Sequence, residues 1–558
     1  MIAKWPALAH YYVLMLKTTR CGGLFASTWQ AVAMAPKADD KAVRRKKATA
    51  EEKPKPDDEK QSKIDAKLEA KRIAAEERIN RAWRMIYYYL IAFLGLIYVV
   101  FMASVPEPYM DEPFHVKQTQ EYCAGNWSVW DEKITTFPGL YLLGAGVAAV
   151  VRGLAAIGAL PPSAAAGACS FHVLRALNLI PAFFTPWLIH SLLAALHPKT
   201  RASDLKANAA LISLLPTHFF FHFLYYTDSY STMAVLLLLL IAPRGDPKAS
   251  TSELRHLAFL LACALAVGLR QTNAVWVAFA VASNALRMCY TAGVLSPQPP
   301  FMPPTDLLAA IAELFTYNAR TLLPMLCVAH FIGPILILIA FAAFVYYNGG
   351  VVVGDKSNHE PVFHLAQLLY LTVVAAAPIT IATALNPFAS VKAIRTAFKT
   401  WRAHPFAIMS VTGVILYAAT TVRSHPFLLS DNRHVTFYVW RHILSKQMQG
   451  LDVPIVLVPF FLCLGGLIYP SLHQAQGPLI AFGLLLCSAL VLVPSPLIEP
   501  RYYNLPAMLI WLHAPPLKGA KKWLAPLFTF LLVNGAMIFL FLFRPYPWVD
   551  GTTARLMW

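Results

Sequence analysis

Acidic, basic and aromatic residues gather in a few short stretches of an otherwise apolar chain. The first such stretch reads PYMDEPFH, with Asp111 and Glu112 adjacent and His115 one helical turn further on. A carboxylate in that position can take a proton from a sugar hydroxyl as a general base. The residues also admit a structural reading, because Asp ahead of Glu112-Pro113 suits a helix N-cap. Asp111, Glu112 and His115 lack the HxH and HExxH spacings of a zinc site, so no metal is expected. Further along, FLYYTDS places Asp228 at a tip between two apolar runs, as a ligand contact or as a cap. GLRQTN puts Arg270 at the edge of a span, where it either snorkels or binds an anion.

Three more stretches follow. NGGVVVGDKSNHEP carries Asp355, Lys356, His359 and Glu360 in a turn-like, polar setting. SHPFLLSDNRHVTFYVWRH packs His425, Asp431, Asn432, Arg433 and His434 among aromatics. An interfacial belt accounts for those aromatics but not for the density of His and Arg. IEPRYYN brings Glu499, Arg501 and Tyr502 together, where Arg501 either pairs with Glu499 or faces a phosphate. Asn126-Trp127-Ser128 is a glycosylation sequon. There is no P-loop and no GxGxxG after a strand, so a sugar donor, if there is one, is borne by a lipid.

These stretches must be positioned by a membrane body. The 558-residue chain is 57% hydrophobic and only 14% charged, with mean hydropathy +0.52. A soluble protein of this length cannot cover its surface with so few charges. The composition predicts an all-α polytopic protein with 12–14 transmembrane helices. Expected spans are 86–105, 171–196, 208–226, 229–242, 257–270, 273–290, 322–347, 362–385, 406–422, 453–470, 478–498, 502–515 and 523–543. The eight cysteines are scattered without CxxC pairs, which excludes a disulfide scaffold. The net charge of +18 is concentrated in basic loops and in the N-terminal segment. Residues 37–84 hold 16 Lys and Arg against 11 Asp and Glu, a mixed and solvated run that does not resemble a nucleic-acid arm.

The chain therefore divides at about residue 84. Residues 1–84 read as a leader followed by a charged, partly disordered segment, and 85–558 as the membrane domain, with 106–170 as its first external loop. Basic residues before the first span place the N-terminus in the cytosol. If the loops 197–206, 243–256, 386–404 and 516–522 are also cytosolic, parity allows one crossing between residues 106 and 197. The Gly- and Ala-rich run 138–160, which contains Arg152, is expected to be re-entrant or interfacial. All six chemistry-bearing stretches then lie on the lumenal face.

The segments PYMDEPFH, ITTFPGLYL, FLYYTDS, GLRQTN, VVVGDKSNHE, HPFLLSDNRHVTFYVWRH, IEPRYY and ARLMW, in this order, resemble one family. It comprises the endoplasmic reticulum dolichyl-phosphate-glucose-dependent α-1,2-glucosyltransferases. Pro113 departs from its usual apolar residue, and residues 1–84 have no counterpart. The resemblance implies a C-type glycosyltransferase fold in the endoplasmic reticulum membrane, with a lumenal site in which the first loop carries an essential acid. It implies inverting transfer of glucose from dolichyl phosphate glucose to the diglucosylated, dolichyl-pyrophosphate-linked oligosaccharide, for protein N-glycosylation. In that chemistry Asp111 is the base, with Glu112 second, and Arg433, His434, Arg270, Arg501 and Lys356 are candidates around the phosphate. Two other classes share the composition: a secondary transporter with buried charges near the midplane, and a non-catalytic membrane subunit of a glycosylation complex.

Overall fold

A computed structural model describes residues 90–242, 253–291, 308–312, 329–384, 387–402, 405–423, 425–444 and 452–558, with scattered positions between 70 and 89. The leader and most of the charged N-terminal segment, residues 1–69, lie outside the described residues. The membrane body falls within one compact unit, Leu90–Trp558. Its principal helices are α1 Leu90–Ser104, α2 Glu112–Cys123, α3 Gly139–Ala156, α4 Phe171–Leu196, α5 Ala202–Ser213, α6 Pro216–Phe223 and α7 Thr227–Ile241. They continue as α8 Glu253–Leu269, α9 Asn273–Thr291, α10 Ala329–Asn348, α11 Gln367–Ala384, α12 Pro387–Arg402 and α13 Pro405–Thr420. The last four are α14 Asp452–Gln476, α15 Pro478–Leu492, α16 Asn504–His513 and α17 Ala520–Phe543. A two-stranded antiparallel ribbon, Tyr546–Pro547 with Thr553–Ala554, follows.

The protein is an all-α polytopic membrane protein, and each expected apolar stretch carries helix. Among the described residues, six helices are long and apolar enough to cross a membrane: α3, α4, Phe331–Asn348, α11, Leu457–Gln476 and α17. A seventh arises if α6 and α7, bent by 117°, count as one broken span. The run 208–226 fails as a straight helix for local reasons. Pro216 cannot continue α5 and opens α6 instead. Leu224 and Tyr226 then adopt extended backbone before α7. The run expected not to cross, 138–160, contains a continuous helix, α3, with the length and composition of a span. Its first residue, Gly139, packs so closely on α8 that an added Cβ would lie 2.4 Å from the Gly268 carbonyl oxygen.

Side-chain contacts sort the loops onto two poles. At one pole, Val353 and Asp355 donate backbone N–H groups to Thr135 and Glu132, and Gln271 donates to the same Thr135 carbonyl. Residues 106–137, 269–273 and 348–361 therefore share a face. Gly354 is needed there, because a Cβ would come within 2.3 Å of the Glu132 carbonyl oxygen. At the other pole, Asp204 Oδ1 accepts from the Gly519 N–H, and Asn208 bridges to Leu517. This joins the two basic loops 197–206 and 516–522.

Cys123 and Cys169 form a disulfide that ties the end of α2 to the segment before α4. Spacing alone did not reveal it, because 46 residues separate the two. Closing a loop of that length typically stabilises by about 2–4 kcal/mol. Replacing both cysteines by Ser is expected to lower the unfolding midpoint in detergent by several degrees, while turnover at low temperature is retained. An unchanged midpoint would show that the bond adds no stability to the fold.

Candidate active site

Five charged side chains from four separate segments converge at the first pole. Asp111 stands immediately before α2, Asp228 in the first turn of α7, Arg270 just after α8, and Glu499 and Arg501 ahead of α16. Arg270 grips Asp228 with both terminal nitrogens, at 3.1 and 3.2 Å, and donates Nε to the Thr227 hydroxyl. Arg501 donates Nε to the Glu499 carboxylate. Its two terminal nitrogens lie 3.7 Å from Asp228 and 3.7 Å from Asp111. Those separations exceed hydrogen-bond length, so Arg501 keeps donors available to a further acceptor. Phe221, Tyr226 and Tyr502 surround its guanidinium at 5.6, 5.6 and 6.0 Å.

The electrostatics follow from that packing. Burial by itself would lower the Arg501 pKa, but Glu499, Asp228 and Asp111 reverse the effect and hold it well above its ordinary value. Burial also pushes Glu499 upward, and the Arg501 charge overrides it, so Glu499 stays below the usual carboxylate range. Arg501 is therefore a permanent cation. His115 lies beside the cluster. Its Nδ1 meets the Tyr141 hydroxyl at 2.8 Å, and its ring packs edge-on to Tyr226. Burial lowers its pKa to about 4, so it is a neutral imidazole near pH 7.

Asp111 and Glu112 are adjacent but do different things. The Asp111 side chain makes no capping hydrogen bond to α2, although it occupies the N-cap position. It is 48% exposed and looks toward Arg501. Its backbone N–H donates to the Tyr226 hydroxyl, which fixes the turn. Glu112 is fully buried. One of its oxygens accepts from Arg175 Nε and the Tyr225 N–H, and the other from an Arg175 terminal nitrogen and the Tyr109 N–H. Held on four sides and shut off from solvent, Glu112 anchors the loop and is not placed to act as a second base.

Arg175 was missed in the sequence. It also donates to the Val105 carbonyl and stacks on Phe171 at 4.2 Å. The available signal was a lone Arg inside the apolar run FHVLRALNL, because a charge in a span demands a partner.

The other candidates stand outside the cluster. Arg433 clamps Asp431 through Nε and a terminal nitrogen at 2.9 and 2.8 Å, and stacks on Trp548. Burial raises the Asp431 pKa and Arg433 more than compensates, leaving it below its ordinary value. His434 Nδ1 meets the Trp558 carbonyl at 2.9 Å, and Asn432 accepts from the Tyr546 hydroxyl. Met557 exchanges backbone hydrogen bonds with Arg433 and Val435. The DNRH segment is thus strapped to residues 546–558. The same strap holds the first loop, because the Tyr109 hydroxyl is bonded to both backbone groups of Arg555, whose guanidinium reaches the Ser104 carbonyl. His425 opens the short helix Pro426–Ser430 and its carbonyl accepts from Leu429.

In the 348–361 loop, Lys356 Nζ is bonded to Asn348, and His359 Nδ1 to the Asp355 carbonyl. Asp355 adopts left-handed backbone at φ 44° to make that turn. These residues brace the loop against 132–135. Asn126 is exposed after α2, where its amide donates to Glu121.

Two comparisons with known proteins bear on this arrangement. Residues 105–512 match the model of the DIE2/ALG10 family. An Arabidopsis thaliana protein named Dol-P-Glc:Glc(2)Man(9)GlcNAc(2)-PP-Dol alpha-1,2-glucosyltransferase is 33% identical, covering 81% of this chain and 95% of its own length. Proteins of the same name from Mus musculus and Homo sapiens are each 30% identical, covering 83% of this chain and 96% of their own. No solved structure matches the chain. The matched span holds all five charged residues of the cluster, and the chain belongs to the DIE2/ALG10 family.

Proposed function

We propose that this protein transfers glucose from dolichyl phosphate glucose to the terminal glucose of a diglucosylated, dolichyl-pyrophosphate-linked oligosaccharide, with inversion, forming an α-1,2 bond. The observation that carries this reading is the meeting of a half-exposed carboxylate, Asp111, with a permanent cation that has donors to spare, Arg501. An inverting transfer needs those two groups on one site. Asp111 takes the proton from the attacking sugar hydroxyl. The hydroxyl oxygen bonds to the anomeric carbon, and the bond from that carbon to the phosphate oxygen breaks. Arg501 offers its terminal N–H groups to the negative charge that builds on the leaving phosphate. Arg270 holds Asp228 and so keeps a second carboxylate from competing for the Arg501 donors. Tyr502 and His115, both partly exposed, supply flat faces and neutral polar groups for sugar rings.

The guanidinium provides the charge that a divalent metal would otherwise bring, so this account requires no metal. The test compares donors. Dolichyl phosphate glucose should support transfer in EDTA, and UDP-glucose alone should not. Transfer from UDP-glucose, or loss in EDTA restored by manganese, would overturn this reading.

A single charge-assisted contact to phosphate contributes about 1.5–3 kcal/mol. Arg501→Ala is therefore expected to weaken kcat/KM for the donor about ten- to a hundredfold, with Arg501→Lys recovering only part because it lacks the planar fork. Steady-state kinetics on folded variants measures this. Equal activity of wild type and Arg501→Ala would remove Arg501 from the phosphate.

We propose that this site faces the endoplasmic reticulum lumen. The disulfide Cys123–Cys169 supports it, since such bonds persist in oxidising compartments. The basic loops 197–206 and 516–522, joined at the opposite pole, support it through the excess of cations expected on the cytosolic side.

A further inference from the structure

Helix α12 has no role in the chemistry, yet it is unusual in composition and exposure. Its sequence, PFASVKAIRTAFKTWR, holds four cations and no acid. Lys392, Arg395, Lys399 and Arg402 recur at spacings of three, four and three, so they form one stripe about 80° wide at 100° per residue. Val391, Ile394 and Phe398 form a second stripe beside it, about 60° wide. Those three apolar side chains are 49%, 44% and 52% exposed, while Ala397 is fully buried. The helix therefore rests on the protein along one side, chiefly against α14, and leaves an apolar strip and a cationic strip uncovered.

Its place in the fold is fixed by its neighbours. Gln367, which opens α11, reaches the Leu497 carbonyl and the Tyr503 hydroxyl at the site pole. At the far end of α13, the Thr421 hydroxyl accepts from the Ala366 N–H, again at the site pole. α11 leaves that pole and α13 returns to it, so α12 lies between them at the opposite end. Both flanking helices are apolar, and α12 is too charged to cross. We propose that α12 lies flat in the membrane interface at the pole opposite the site, with Val391, Ile394 and Phe398 in the acyl boundary and its four cations on the headgroups of anionic lipids.

Charge complementarity selects this occupant. A neutral headgroup layer would accept the apolar strip but would leave an unbroken row of cations without partners. Each juxtamembrane cation gains about fivefold in affinity for an anionic surface, and the gain falls with salt.

The test uses the full chain in nanodiscs of phosphatidylcholine alone or with one third phosphatidylserine, reading amide hydrogen exchange of residues 387–402. The proposal predicts at least tenfold slower exchange with the anionic lipid, reversed by high salt. It further predicts that a variant combining Lys392→Gln, Arg395→Gln, Lys399→Gln and Arg402→Gln loses the difference, while α4 and α17 keep wild-type exchange and glucose transfer persists. Phe398→Ser should speed exchange in both lipids. Equal exchange in the two lipids would overturn the proposal. So would protection that follows the number of chains per disc, which would assign the face to a second copy. If the fourfold variant fails to fold, the lipid and salt dependence of the wild-type chain still decides.

Discussion

Asp111→Asn is expected to slow glucose transfer by about 10²–10⁴-fold, the usual cost of losing a general base. Donor affinity should hold or rise slightly, because Arg501 loses one of the three carboxylates that surround it. The amide retains the size of the side chain, and the turn is fixed from the backbone by Tyr226. Asn also caps helices about as well as Asp. A purely capping role therefore predicts an almost silent substitution, and the side chain makes no capping bond to α2. Single-turnover transfer at matched folded protein separates the two. Near-wild-type turnover would move the base to another carboxylate, and Asp228 would be tested next, although Arg270 grips it and it is 4% exposed.

The largest stability effect should come from the buried pair beneath that turn. Removing one partner of a buried ion pair leaves an uncompensated charge and costs about 3–5 kcal/mol. Glu112→Gln and Arg175→Met are each expected to reduce folded yield sharply and to lower the unfolding midpoint in detergent. The two backbone donors at Tyr109 and Tyr225 add to the loss, because each would keep at most a weaker acceptor. Joining Glu112→Leu with Arg175→Met removes both charges and should regain part of the stability but not of the turnover, since the loop carrying Asp111 loses its anchor. Wild-type stability in either single variant would show that the pair holds nothing.

The sequence made some of this arrangement legible and hid the rest for identifiable reasons. Asp111, Asp228, Arg270 and Arg501 stood out because each is a charge at the edge of an apolar run, where desolvation is costly without a purpose or a partner. Their meeting required the chain's own folding, since four segments supply them. For Arg433, composition cannot tell an Arg that faces a ligand from one that clamps a carboxylate two residues earlier, as it does here. Lys356 and His359 make hydrogen bonds within their own loop, which docks on the Glu132 carbonyl through the Asp355 N–H.

Hydropathy located the helices well, from α4 to α17, but it tracks apolarity and not continuity. The breaks at Pro216 and at Leu224–Tyr226 turn two expected spans into a bent element. That bend is functional in this account, because it swings Tyr226 and Asp228 under Arg501.

Purified full-length protein in detergent is given dolichyl phosphate glucose carrying a labelled sugar, together with the diglucosylated lipid-linked acceptor and no nucleotide sugar. The expected product carries one added glucose in α-1,2 linkage, is released by a linkage-specific α-glucosidase, and is lost with Asp111→Asn. Folded protein that transfers no glucose under these conditions, but carries sugar or anion across sealed vesicles, would contradict the proposed transfer.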